Sequence, residues 1–178
     1  MMLFDGRTTP GLRSVLGSAL GESTDASFAI RRIRLARVDL LPDELRGVAR
    51  CRVLLGRLDA DTLAETGASP SSARTAALLD MVASGRLQVR SASLLTWDPD
   101  FAIVGHATDA DLLLFGSIQF MPPLPQRPIE ELSLSCALRD PAMVRAATAR
   151  FEELWERAHD ALEAVTDALC RSRSIDDA

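Results

Sequence analysis

The residues best suited to chemistry sit in and around one polar turn. His106, Asp109 and Asp111 crowd the stretch G-H-A-T-D-A-D, and Asp98 and Asp100 stand just before the apolar run that leads into it. An imidazole among carboxylates can hold a divalent cation or exchange protons with a substrate. The same letters are ordinary in a β-turn, where Gly, Asp and Thr satisfy local backbone groups. With only two histidines in the chain, a multi-histidine zinc site within one subunit is not expected. No metal and no cofactor is expected. Gly116 and Ser117 close the run that follows the turn, and a glycine there lets the backbone come close to another group.

Arginines form the second group. Arg31, Arg32, Arg34 and Arg37 cluster in one segment, and Arg50, Arg52 and Arg90 lie in two further strand-like segments. If Arg32, Arg34, Arg52 and Arg90 share a sheet face, they make a basic stripe that can contact phosphates. The plainer alternative is a solvated face paired with Asp and Glu. Interleaved aromatics that would stack bases are missing, which argues against single-strand binding.

The elements that must position these groups follow from periodicity. Phe101–Val104 and Leu112–Phe115 are unalternating apolar runs around the polar turn, which predicts a β-hairpin covered on both faces. Pro10–Leu20 reads as a helix with a Leu12, Val15, Leu16, Leu20 stripe. Strands are expected over 28–40, with a bulge near Arg31-Arg32 or a break there between two elements, and over Cys51–Leu55, Leu87–Val89 and Leu132–Cys136. Short helices are expected after Pro42 and over 58–66. A longer one from Pro70 to about Ala83 stops at Gly85. The segment M-P-P-L-P-Q-R-P, starting at Met121, is a stiff loop. Asp140-Pro141 opens a long helix, expected to run to about Arg171, on which Val144, Phe151 and Trp155 face inward. Its far end, with Leu162, Val165 and Leu169, outruns the sheet and is a candidate subunit interface. The sum is an α/β layered domain: a mixed sheet flanked by helices, with a long C-terminal helix.

The hairpin resembles the second half of the phospholipase D-like motif, H-x-K-x4-D followed by G-S at the end of the next strand. Asp109, Gly116 and Ser117 keep that spacing, and an ungapped count puts Ala102 at the His position and Val104 at the Lys position. The resemblance extends to the opening P-G-L-R-S-V-L-G-S-A-L and to the strand and helix from Glu130 to Trp155. It implies one half of a phospholipase D-like fold, with Glu131 at the place of a carboxylate that follows the G-S loop. It also implies loss of catalysis: the family's His is the nucleophile and its Lys binds phosphate, and Ala and Val do neither. Relatives with one motif per chain build their site at a two-fold interface, so the resemblance implies a homodimer. His106, Asp109, Ser117 and Glu131 are its candidate ligand-binding residues.

Composition bounds the rest. The chain has 178 residues, 47% hydrophobic, and one domain over 1–178 is the default, with 172–178 as a disordered tail. Its 20 basic residues are all Arg, and with 25 acidic ones the net charge is −5, so a whole-chain basic footprint for nucleic acid is missing. Cys51, Cys136 and Cys170 have no C-x-x-C spacing, which makes zinc and redox roles weak. No apolar run of membrane-spanning length and no leader with a basic start is present, so a cytoplasmic protein without a membrane partner is expected. Three functions follow, in order: an inactive phospholipase D-like binding or assembly module, expected to be homo-oligomeric; a nucleic-acid-binding or DNA-processing accessory protein using the Arg stripe; and a metal-dependent phosphodiesterase with a rebuilt site.

Overall fold

The protein is described by a computed structural model that covers residues 1–4, 12–32, 45–57, 72–92, 100–106, 111–116, 135–164 and 166–167. One mixed eight-stranded sheet runs through it, in the order β1-β7-β6-β5-β2-β3-β4-β8. The strands are β1 (Met2–Phe4), β2 (Ser23–Arg32), β3 (Arg50–Arg57), β4 (Leu87–Ser91), β5 (Asp100–His106), β6 (Leu112–Gly116), β7 (Ser135–Leu138) and β8 (His159–Asp160). Strands β2, β3 and β4 are parallel neighbours, and the remaining pairs are antiparallel. Among the described residues, three longer helices cover the sheet, α1 (Leu12–Gly21), α2 (Ser72–Ala83) and α3 (Pro141–Arg157), and the chain is helical again over 162–164 and 166–167. This is the α/β layered architecture that the sequence predicts.

Alternation along each strand sorts side chains into two layers. Phe28 and Ile30 of β2, Cys51, Val53 and Leu55 of β3, and Ala102 and Val104 of β5 pack with Leu16 and Leu20 of α1 and Leu78 and Met81 of α2. On the other face, Ala29, Leu54, Phe101, Ile103 and Leu113 pack beneath Val144, Phe151, Leu154 and Trp155 of α3. Both apolar runs of the hairpin are therefore sandwiched, which is why neither alternates.

Local signals set the boundaries. Asp140 caps α3 by accepting from the backbone N–H groups of Ala142 and Met143, and Pro141 takes the first turn, where its missing N–H costs nothing. Gly85 turns the chain after α2 with φ 71°, a left-handed conformation that favours glycine. The irregularity in β2 lies between Ser23 and Asp25, where its register with β5 shifts; the bulge expected near Arg31-Arg32 is not seen, since pairing with β3 holds through Ile30↔Leu55 and Arg32↔Arg57.

The end of the long helix differs from expectation. Helix α3 stops at Arg157, and β8 then pairs with β4 through Asp160↔Arg90 and His159↔Ser91. Ala158 packs on the α3 face, whereas Ala161 and Leu162 belong to the layer of α1 and α2. The chain thus crosses from one face of the sheet to the other around the β4 edge. Leu162 is part of its own core and is not a free interface residue. The Val165 side chain, Leu169 and the expected tail over 172–178 lie outside the described residues, as do the expected helices over 58–66 and after Pro42 and the proline-rich loop. Among the described residues, no helix is long and apolar enough to cross a membrane.

Candidate functional site

One edge of the sheet collects the carboxyl ends of β1, β2, β3, β4 and β6 with the starts of β5 and β7, a placement that follows from the strand directions. In open α/β sheets such an edge is where ligands bind. Asp100 opens β5 opposite Gly116, which in turn pairs with Ser135 of β7, so these three stand in one row across the edge. Gly116 has φ 128°, a conformation open to glycine and strained for other residues. Asp100 is buried, with 9% of its surface exposed. Arg32 and Arg57, a cross-strand pair, end β2 and β3 on the same side of the sheet. Sequence reasoning used Asp100 only as a neighbour of His106. Its position opposite Gly116 depends on the hairpin register, which no local signal reports.

The positions assigned by spacing to the family's His and Lys lie inside the sheet. Ala102 pairs with Phe28 and Leu114, and Val104 pairs with Ala26 and Leu112. Both are 0% exposed and are packed under α1 and α2. The residue opposite Gly116 is Asp100; Val104 sits four residues further along β5.

His106 is at the other edge. It ends β5 opposite Ser23, roughly 20 Å from Asp100 at the usual strand rise. Gly116 and His106 are therefore at opposite ends of the hairpin. Asp109, Ser117 and Glu131 themselves lie outside the described residues. The His106 edge also holds an ion pair that spacing did not reveal: Arg50 Nε donates to Asp25 Oδ1 at 2.8 Å, and Thr24 Oγ1 donates to Asp25 Oδ2 at 3.0 Å. A Cβ on Gly105 would stand 3.5 Å from the Asp25 carbonyl oxygen and 3.8 Å from Asp111 Oδ1, so this corner is closely packed. Among the described residues, no three His, Cys, Asp or Glu side chains are placed to hold a metal ion.

The arginines expected to form a phosphate-contacting stripe have another use. Arg52 and Arg90 do share a sheet face, but α3 lies over it. Arg52 Nη1 and Nη2 donate to the two carboxylate oxygens of Glu152 at 2.9 and 2.7 Å. The same guanidinium lies 4.9 Å from the Phe151 ring centroid and 5.6 Å from that of Trp155. Arg90 stacks at 4.7 Å on Trp155 and donates from Nη1 to the Trp155 carbonyl oxygen at 2.7 Å, tying down an end-of-helix acceptor. The Arg52 side chain is only 18% exposed. Arg52's hydrogen bonds hold the Glu152 carboxyl below its ordinary pKa. Neither guanidinium is displayed to a phosphate backbone. The side chain of Arg32 and the whole of Arg34 lie outside the described residues.

Cys51 and Cys136 are buried free thiols. Burial pushes the Cys51 thiol up to about 12, and Arg86 opposes this only in part. Such a thiol is a packing group and a poor nucleophile.

No family model matches the sequence, and no curated protein matches it. Among solved structures, the chain is similar to TrmBL2, an archaeal chromatin protein described as showing a novel mode of DNA binding. The TM-score is 0.55 at 17% identity, over 89% of this chain and 53% of that one. NucT from Helicobacter pylori aligns with a TM-score of 0.46 at 12% identity, over 83% of this chain and 89% of NucT. The TrmBL2 likeness is one of fold, and this chain spans about half of TrmBL2's length.

Proposed function

We propose that this chain is a phospholipase D-like module without catalysis, which self-associates and works in the cytoplasm by binding other macromolecules. The supporting observation is the burial of Ala102 and Val104, each 0% exposed inside an apolar layer. A nucleophile or phosphate-binding cation must reach a substrate, and these positions reach none. The test is hydrolysis of bis(p-nitrophenyl) phosphate and of plasmid DNA by the whole chain, with and without divalent cations. Turnover no greater than the buffer's is expected. Turnover that is lost in Asp100→Asn would overturn the proposal, since that carboxylate lies at the sheet edge.

A second reading, nucleic-acid contact, is favoured by the fold likeness to a DNA-binding chromatin protein. With Arg52 and Arg90 held by α3, contact falls to arginines away from that helix. Anisotropy of labelled duplex and single-stranded DNA across a salt series tests it. The reading expects affinity that falls as salt rises; no binding at low salt would end it.

A further inference from the structure

Helix α3 turns one side to the sheet and leaves the other uncovered. Ala142, Ala146 and Ala149 are exposed along that outer side, flanked by exposed Arg145 and Glu156. The other long charges of α3 are satisfied at home: Glu152 by Arg52, and Glu153 by Arg150 at 2.8 Å and Arg157 at 3.0 Å. Among the described residues, Arg145 and Glu156 take part in no ion pair. Eleven positions separate them, which is about three helical turns, so both fall on one line along the helix, roughly 16 Å apart.

We propose that the outer face of α3 is a contact between two copies of this chain, packed antiparallel about a two-fold axis between positions 150 and 151. In such a contact, residue i meets residue j and j meets i. An axis midway between positions 145 and 156 brings Arg145 of each copy beside Glu156 of the other. The one free cation–anion set on this line then becomes two identical ion pairs. A parallel arrangement would set Arg145 against Arg145 and is disfavoured by the same charges. Ala146 and Ala149 lie between the pairs, and Glu153, on the same outer side, keeps Arg150 and Arg157 as its own partners. A 17-residue helix is about 25 Å long, so the contact belongs to the small, salt-sensitive class of interfaces.

This inference rests on the self-association in the proposed function and not on the absence of catalysis. The experiment is sedimentation velocity on the whole chain, from low to several hundred micromolar, for wild type, Arg145→Glu, Glu156→Arg and the double exchange. Circular dichroism melts confirm that each variant is folded, as expected for exposed sites with no ion pair among the described residues. Each single change is expected to weaken dimerisation about tenfold or more, and the double exchange to restore it. A wild type that stays monomeric throughout overturns both the contact and self-association. A dimer that is indifferent to the single changes, or that the double exchange fails to restore, overturns the α3 contact and leaves self-association standing.

Discussion

Val104 is a costly place to put a charge. Its neighbours across the strands are Ala26 and Leu112, and α1 and α2 close the layer above it. A lysine there must either ionise without water or lose its proton. A depression of about four pKa units corresponds to a penalty on the order of 5 kcal/mol. Val104→Lys, alone or with Ala102→His, is expected to lower the urea midpoint sharply and to add no phosphodiesterase turnover, although it installs letters of the phospholipase D-like motif. Glu152 offers a milder test. Its carboxyl is held below the ordinary value, so its contribution is full above the unfolded value of about 4.3 and is lost as pH falls through the lower folded value. Glu152→Gln is expected to cost about 1 kcal/mol at neutral pH, a modest figure because that side chain is 42% exposed. Urea melts should show the gap to wild type closing in acid. A thiol-reactive dye at pH 8 should leave Cys51 unlabelled in the folded protein and label it in guanidinium.

At the scale of elements, α3 is held by two unlike devices. Toward β5 it is held by aromatic packing: Phe151 meets Phe101 edge-on at 6.4 Å, and within the helix it stacks on Trp155 at 5.5 Å. Toward β3 and β4 it is held by guanidiniums that pair and stack at once. Phe151→Ala is expected to cost roughly 3–5 kcal/mol, and Asp140→Ala about 1 kcal/mol through the lost cap, both measurable by chemical denaturation. The start of this helix was legible in Asp140-Pro141 because a cap is a local device. Its end was not. Ala158 and Leu162 both bury, as helical spacing requires, yet they bury on opposite faces of the sheet, with two strand residues between them. No glycine or proline marks that break. The partners of Arg52 and Arg90 were equally invisible: they lie 100 and 65 positions away, and only the packed layers bring them together. Strands β1 and β8, three and two residues long, carry too few positions to show a period.

At the scale of the molecule, the layered α/β fold was readable because the hairpin's apolar runs and the helical stripes each report burial locally. The sheet's edge was not readable. Its membership depends on strand order and register, which put Asp100 beside Gly116 and sent His106 to the far side. The segment after α3 acts on the whole sheet, since it covers the β4 edge and adds Ala161 and Leu162 to the opposite layer. A chain ending at Arg157 is expected to lose roughly 2–3 kcal/mol and to bind a hydrophobic dye more strongly, because both the edge and the layer open.

Strand β1 has a consequence for synthesis. Met2 pairs with Ala137 and Phe4 with Ser135, so the first strand leaves the ribosome with no partner and waits until β7 has been made. The β4 edge stays bare for longer still, until residues 159 and 160 arrive. Such distant pairings slow folding. The two rims are thus completed only when distant segments meet: one when β7 reaches the waiting β1, the other when β8 reaches β4.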